Sequence, residues 1–535
     1  MTTTHTRLIY VVGARPPDAG LTREVVGGKA ANLARLDALG LTVPPALALP
    51  TALCRDFLAR GVLPDGFRAR LAAAIRHLER ATGCTLGGSR PLLVSVRSSP
   101  PNSMPGMLRT VLNVGMTEDA VRGLVRRTGN PWFAWDVYRR FIRSFAETVS
   151  GVPPSRFEEL ASAHLARAGV DALQDLDALS LRELARACVA VMPSTLAVPT
   201  DPLDQIVAAI ESVFRSWTAP WAGEYRRLNH IDDDTGTGVL IQAMVFGNSG
   251  ARSGSGVGFT RNPATGVHEL YVDFLFNAQG EDVVAGRLPV SDADSLPVIL
   301  PDVWMQLTAA ADALEREFAD MQDFEFTVDE GRLFFLQTRA AKRTPWAAVR
   351  TAVDLVQDGL IDEAAALERL DAYDLNEVSR IVLKPGLDDP PIARATPASV
   401  GVASGAVVFD AARAQRLGRD QPVIFVSAEL STDDVAALAS CAGVVTTFGG
   451  RTSHAAVVAR QLGKVCLVGC SELRIDGPSA CTIGARRFRE GDILTIDGES
   501  GFIYAGAVPV VTERPERELS AIAAWRGRMA LTMES

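Results

Sequence analysis

The stretch GGRTSHAAVVARQLG, Gly449–Gly463, sets two glycines and a Thr-Ser pair ahead of a histidine, at the mouth of an apolar segment. A strand-like run, GVVTTF (443–448), leads into it. Strand, glycines, hydroxyl pair and helix in that order predict that Thr452 or Ser453 caps the helix, with His454 in its first turn. Free backbone N–H groups and the positive end of the helix dipole surround such a position. The dipole disfavours imidazolium, so His454 is expected to be neutral and nucleophilic. A phosphoryl group on it would rest in an anion site made by the backbone. The glycines let the chain approach a phosphate with no Cβ in the way. Local chemistry alone also allows a histidine that merely closes a turn. The other five, His5, His77, His164, His230 and His268, lack this context and read as surface or packing residues.

Working outward, PVIFVSAEL (422–430) reads as a strand and Ser431 to Asp434 as a capping-box-like start to the helix VAALAS. KVCLVGC (464–470) is a further strand, and residues 490–506 form a closing hairpin. This alternation predicts a small α/β domain over 398–509, followed by a helical tail, 510–535. Upstream lie the Pro-rich KPGLDDPPIARATP (384–397), read as a linker, and a helical pair (346–371), together 343–397. Residues 116–220 carry apolar spacing of period 3.6 and predict a helical subdomain. The flanking segments, 1–115 and 221–342, mix helix, strand and glycine. The expected class is a multidomain α/β and α+β protein.

Composition bounds the function. A chain of 535 residues exceeds one ordinary domain, and 47% apolar residues suffice for sizeable cores. A net charge of −9 with no basic block argues against nucleic acid or a membrane surface as partner. No apolar run reaches the eighteen residues of a membrane span, and the start lacks the apolar core of a secretion signal. The seven cysteines follow no zinc or disulfide spacing and read as small buried hydrophobes, which fits a reducing, cytoplasmic setting.

Three further features carry chemistry. MVFGNSGARSGSGVGFTRNPATG (244–266) has six glycines, and is expected to be a strand–loop–strand closing over a triphosphate. Gly247, Ser253, Gly254 and Gly256 would then meet the phosphates; a mobile hairpin loop is the other reading. In MQDFEFTVDEGRLFFLQTR, a hairpin centred on Gly331 sets Asp323 opposite Arg339 and Glu325 opposite Gln337. Asp323, Glu325 and Gln337 offer the hard oxygens that suit Mg²⁺, and Arg339 would neutralise a transferring group. A salt-bridged sheet face would show the same pattern. Lys29, one of four lysines among 54 basic residues, sits at a glycine-flanked helix start, and Arg97 ends an apolar strand. Each is suited to clamp a phosphate or to be a plain surface charge.

Taken together, GGKAANLARL, SVRSSPPNSMPGMLRT, NPWFAWDVYRRFI, GVGFTRNPATG, FNAQGEDVVAG, MQDFEFTVDEGRLFFLQTRAAKRTP and GGRTSHAAVVAR resemble the pyruvate, phosphate dikinase family over nearly the whole chain. The resemblance implies an ATP-grasp nucleotide-binding region followed by a swivelling phosphohistidine domain. It implies that His454 carries the phosphoryl group, and that Lys29, Arg97, Asp323, Glu325, Gln337 and Arg339 serve ATP and Mg²⁺. Gln279 and Glu281 would border the nucleotide pocket. Thr452 matches a threonine that is a regulatory phosphorylation site in some members. The full-length family continues into a (β/α)8 barrel that binds phosphoenolpyruvate and pyruvate. Such a barrel needs roughly 250 residues, and 29 follow Gly506 here.

The expected activity is therefore a dikinase-type phosphotransfer from ATP to His454, with release of AMP and with orthophosphate, favoured over water by SMPGM and FAWDVYRRF, as co-substrate. The final acceptor would be a small molecule or a separate barrel-type subunit. A reading from another class is a non-catalytic nucleotide sensor or scaffold that keeps the fold. The joint presence of the nucleotide, metal and histidine positions favours the enzyme.

Overall fold

The computed structural model describes residues 7–13, 20–104, 106–192, 197–284, 295–386, 389–430, 434–450 and 454–534. Two compact units emerge: Met1–Val245 with Phe334–Gln337, and Phe246–Leu333 with Thr338–Ser535.

The first unit is built on an antiparallel sheet. Its strands are β1 (Tyr10–Val12), β2 (Ala46–Leu49), β3 (Val94–Ser99), β4 (Thr110–Val114) and β5 (Gly238–Ala243), in the order β1-β2-β5-β3-β4. Every residue of central β5 is buried, its single polar side chain, Gln242, included, as suits a mostly apolar strand covered on both faces. Between β4 and β5 the chain is helical, and its helices start on good caps. Thr117 accepts from Ala120 N, Asn130 from Phe133 N and Asp177 from Ser180 N. The Pro131–Thr148 helix buries Asp136, which its own Arg139 and Arg140 pair at 2.6 and 2.7 Å.

The second unit begins with β6 (Gly254–Phe259), β7 (Tyr271–Phe276), β8 (Gln322–Asp329) and β9 (Arg332–Ala340), in the sheet order β7-β6-β8-β9. Of β9, Phe334–Gln337 belong to the first unit. Gly254, Gly256 and Gly258 alternate along β6, and a Cβ on any of them would strike the ring of Phe274, Phe326 or Phe324 respectively. The rings of Phe274 and Phe326 stack, 5.8 Å apart and 6° from parallel. These glycines thus make room for a layer of phenylalanines on one face of the sheet.

Next come β10 (Arg380–Leu383), β11 (Ala393–Arg394), β12 (Thr396–Ser399), β13 (Val402–Val408), β14 (Val423–Ser427), β15 (Gly443–Thr446) and β16 (Val465–Val468). Then β17 (Leu473–Ile475), β18 (Ala480–Ile483) and β19 (Arg486–Arg489) form a small antiparallel sheet. β20 (Ile493–Asp497), β21 (Phe502–Ala505) and β22 (Val510–Glu513) complete the strands. The main sheet runs β11-β21-β20-β13-β14-β15-β16-β12, parallel from β13 to β16 and antiparallel outside that block. The end of the Pro-rich stretch, read as linker, is therefore strand: β11 and β12 pair at opposite ends of this sheet. The pattern of prolines gave no sign of it, because edge strands tolerate proline.

The helices Pro345–Gln357 and Glu363–Leu370 share a core with the C-terminal helix Glu516–Glu534, through Val349, Leu370, Ile522 and Trp525. β10 and β22 pair beside the two chain segments that this core joins. All seven cysteines are buried thiols, and burial pushes Cys466 up to about 12. Among the described residues, no helix is long and apolar enough to cross a membrane.

Candidate phosphoryl-transfer site

In the first unit, Lys29 is the second residue of the helix Gly28–Ala38. The start of that helix is tied to the end of β3: Gly28 N donates to Pro100 O at 3.0 Å, and Ala30 N to Ser99 Oγ at 3.1 Å. Gly27 has φ of 81°, and a Cβ there would run into the Ser99 carbonyl. Only glycine permits both the angle and the approach. Half-buried Arg97 sits on β3 in register with Thr110 and Leu240, and its Nη2 donates to Gln337 Oε1 at 3.2 Å. Arg97 and Gln337 thus meet across 240 residues of sequence. Gly27→Ala is expected to strain the backbone by about 1–3 kcal/mol before any clash is relieved. Chemical denaturation should show the loss, and ATP titration a weaker complex.

In the second unit, alternation places Asp323 and Glu325 on one face of β8, with Phe324 and Phe326 on the other. Arg339 Nε donates to Asp323 Oδ1 and Oδ2 at 3.0 and 2.8 Å, the pairing expected from a hairpin about Gly331. Asp323 is 3% exposed. Burial pushes its carboxyl above the ordinary value, and neighbouring Glu325 pushes the same way, against the pull of Arg339 and Arg460. Asp323 in turn holds the Arg339 guanidinium up. Two carboxylates side by side on one strand face make an environment that suits a bound cation.

Mg²⁺ fits that donor set. It is typically held by one or two carboxylates and completes its shell with waters and phosphate oxygens. Among the described residues no cluster of three or more His, Cys, Asp or Glu side chains is arranged to hold a metal ion, and Mg²⁺ needs none.

The glycine-rich stretch divides in two. Gly247 and Gly250 precede β6, whereas Gly254 and Gly256 are buried within it under phenylalanine rings. Ser253, expected to offer its hydroxyl to a phosphate, is fully buried; its Oγ accepts from Glu330 N at 2.9 Å and lies 2.9 Å from Ser249 Oγ. Ser249 also donates to Asp329 Oδ1 at 2.6 Å, so these hydroxyls fasten the loop to the tip of the β8–β9 hairpin. Sequence could not separate glycines that free a loop from glycines that seat aromatic rings. The alternating phenylalanines of β8 were the available signal.

Gln279 is 4% exposed and donates through Nε2 to Asn248 Oδ1 at 3.2 Å, while its buried Oε1 has no hydrogen-bond partner among the described residues. Glu281, two residues on, is exposed at the start of the short helix Gly280–Val284.

His454 opens the helix His454–Gln461. Thr452 and Ser453, expected as its cap, lie outside the described residues, as does most of the Ser431–Asp434 start. Sequence reading passed over Arg460 in this same motif. Ala456, Ala459 and Arg460 share one buried stripe at i, i+3 and i+4, so a charged residue on an apolar face was the signal to follow.

Two family models match stretches of the chain. The family model described as "Pyruvate phosphate dikinase, AMP/ATP-binding domain" matches residues 61–294, and "PEP-utilising enzyme, mobile domain" matches 419–501. Pyruvate, phosphate dikinase of Rhizobium meliloti (strain 1021) is 40% identical over 536 residues, 97% of this chain and 60% of the relative. The protein of that name from Clostridium symbiosum is 41% identical over 512 residues, 94% of this chain and 59% of the relative. The chloroplastic one of Flaveria pringlei is 40% identical over 537 residues, 98% and 56% respectively. The chain therefore spans less than two thirds of the length of these curated relatives. Over that span, with a nucleotide-binding region followed by a phosphohistidine-type α/β domain, it belongs to the pyruvate, phosphate dikinase family.

Proposed function

We propose that the chain is an ATP-dependent phosphotransferase that places a phosphoryl group on His454, and that orthophosphate is its co-substrate. ATP and orthophosphate would yield phosphohistidine, AMP and pyrophosphate; the phosphoryl group then passes to a further acceptor. The observation that carries the reading is Asp323, a buried carboxylate held by an Arg339 whose side chain is 42% exposed, on the strand face that also carries Glu325. The open edge of the guanidinium suits a phosphate, and the two carboxylates beside it suit Mg²⁺.

In this reading Lys29, Arg97 and Arg339 neutralise the oxygens of the triphosphate, which is most of what phosphoryl transfer asks of a protein. Asp323, Glu325 and Gln337 hold Mg²⁺, which when bound offsets charge on the phosphates. Backbone N–H groups of the loop around Gly247 line the same anion, and Gln279 and Glu281 border the nucleotide. His454 supplies the nucleophilic nitrogen. The buried unpaired thiols support a reducing compartment, and we assign the chain to the cytoplasm.

The test is incubation with Mg²⁺, orthophosphate and ATP labelled at the β-phosphate. Protein-bound label that survives base, is lost in acid and vanishes in His454→Ala is expected. An unlabelled protein that still binds ATP would overturn the enzyme reading in favour of a nucleotide sensor.

A further inference from the structure

Arg460 is 1% exposed and among the largest fully buried side chains of the protein, yet it carries a charge that cannot be neutralised by deprotonation. It lies in the last turn of the helix that His454 opens. One arm stays with its own domain: Nη1 donates to Ala398 O on β12 at 2.7 Å. The rest of the guanidinium lies over the Phe259 ring of β6, 5.6 Å from its centroid.

That ring marks a particular face of the four-stranded sheet. In the antiparallel register Phe259 pairs with Tyr271 on one side and Asp323 on the other, and Val257 with Asp273 and Glu325. Side chains directly opposite one another project to the same face. Tyr271, Asp273, Cys466 of β16 and Asp323 all act on the Arg460 charge, against the burial that pushes the guanidinium down from its ordinary value. Asp273 is itself 2% exposed. The two carboxylates among these groups belong to the sheet carrying the proposed metal-binding residues.

We propose that Arg460 is a positioning residue that seats the His454 helix on the carboxylate-bearing face of the β6–β8 sheet. A buried charge is tolerated only where opposite charge and hydrogen bonds meet it. The helix therefore docks where Asp273 and Asp323 lie and has no equivalent seat on an uncharged surface. Tyr271 Oη donates to Pro397 O at 3.1 Å, and beside that bond opens a cleft of about 330 Å³. A charged contact flanked by a cleft can be released, because on separation water solvates both partners. The inference rests on the proposed phosphohistidine chemistry only for its catalytic consequence.

Arg460→Met and Arg460→Lys should be compared with the parent chain in three measurements. Hydrogen exchange of the β7 and β12 amides should quicken at least tenfold in the methionine variant. Labelling of His454 from ATP should slow by roughly 100-fold, the cost of a small misplacement of reacting groups, with the KM for ATP little changed. Phosphorylation of His454 by phosphoramidate, a small donor that needs no docking, should proceed at the parent rate, and lysine should restore part of the ATP-dependent rate.

Equal loss with both donors would mean a general defect of the helix and would overturn the proposal, as would an unchanged exchange pattern. A parent chain that takes no label from ATP, but whose β7 exchange responds to Arg460→Met, would defeat the phosphotransferase reading and leave the seat standing. In a double variant, Asp273→Asn should add little to Arg460→Met, because the pair is already broken. A fully additive loss would refute the pairing.

Discussion

Arg339→Met is expected to slow ATP-dependent labelling of His454 by roughly 10³-fold, the lower end of what a charge-neutralising arginine contributes to phosphoryl transfer. The side chain is divided in its duties. Nε is committed to Asp323, and no hydrogen bond among the described residues engages Nη1 or Nη2. Asp323 is 5% exposed at its side chain whereas Arg339 is 42% exposed, so the outer edge of the guanidinium is open to a bound anion. Methionine removes both the anion donors and the pull that opposes protonation of Asp323. Burial already holds that carboxyl above its ordinary value, so losing Arg339 raises it further. The metal-binding form is the carboxylate, so the acid limb of the pH–rate profile should move to higher pH. Arg339→Lys keeps the charge while losing the planar fork; it should restore the position of the limb better than it restores the rate. A methionine variant with normal rate and an unmoved limb would remove Arg339 from the site and leave it a structural ion pair.

How far such a site is legible in sequence depends on whether its geometry is local. The pairing of Asp323 with Arg339 followed from counting outward from Gly331, because a hairpin fixes register within a few residues. Arg97 with Gln337 could not be reached that way: a side-chain contact across 240 residues leaves no periodic trace. The glycines of 254–258 failed for another reason. Their function is set by what lies across the sheet, and a glycine under a phenylalanine ring looks the same in sequence as a glycine under a phosphate. Arg460 was visible as a charge on an apolar stripe, but its meaning came only from the β6–β8 face that receives it. The helical pair and the C-terminal helix read as separate segments, and Ile522 and Trp525 join them through a core that no local pattern announces.

The other large effect expected is on stability, from Arg261 at the end of β6. Its side chain has no solvent exposure, with Nε and Nη2 donating to Glu315 Oε1 at 2.8 and 2.6 Å and Nη1 to Asp354 Oδ2 at 2.6 Å. Thr260 Oγ1 holds the other Glu315 oxygen at 3.0 Å. One guanidinium thereby fastens the loop after β6 to the helices Pro301–Phe318 and Pro345–Gln357. Burial alone would push Arg261 below its ordinary value; Glu315 and Asp354 outweigh it, and the net direction is up. A folded-state value raised from so high a starting point gives stability throughout the physiological range, lost only at extreme alkaline pH.

Arg261→Met leaves Glu315, 3% exposed, as a buried carboxylate deprived of its cation. Breaking a buried pair from one side costs about 3–5 kcal/mol, equivalent to a rise in local opening of roughly two to three and a half orders of magnitude. Hydrogen exchange in β6 and the Pro301–Phe318 helix is the suitable measurement, since a chain of several domains has no single unfolding free energy. Adding Glu315→Leu should recover most of the loss, because replacing both partners by apolar groups removes the orphaned charge. If the double variant opens as readily as the single one, the cost comes from lost packing around the guanidinium, not from an unpaired Glu315.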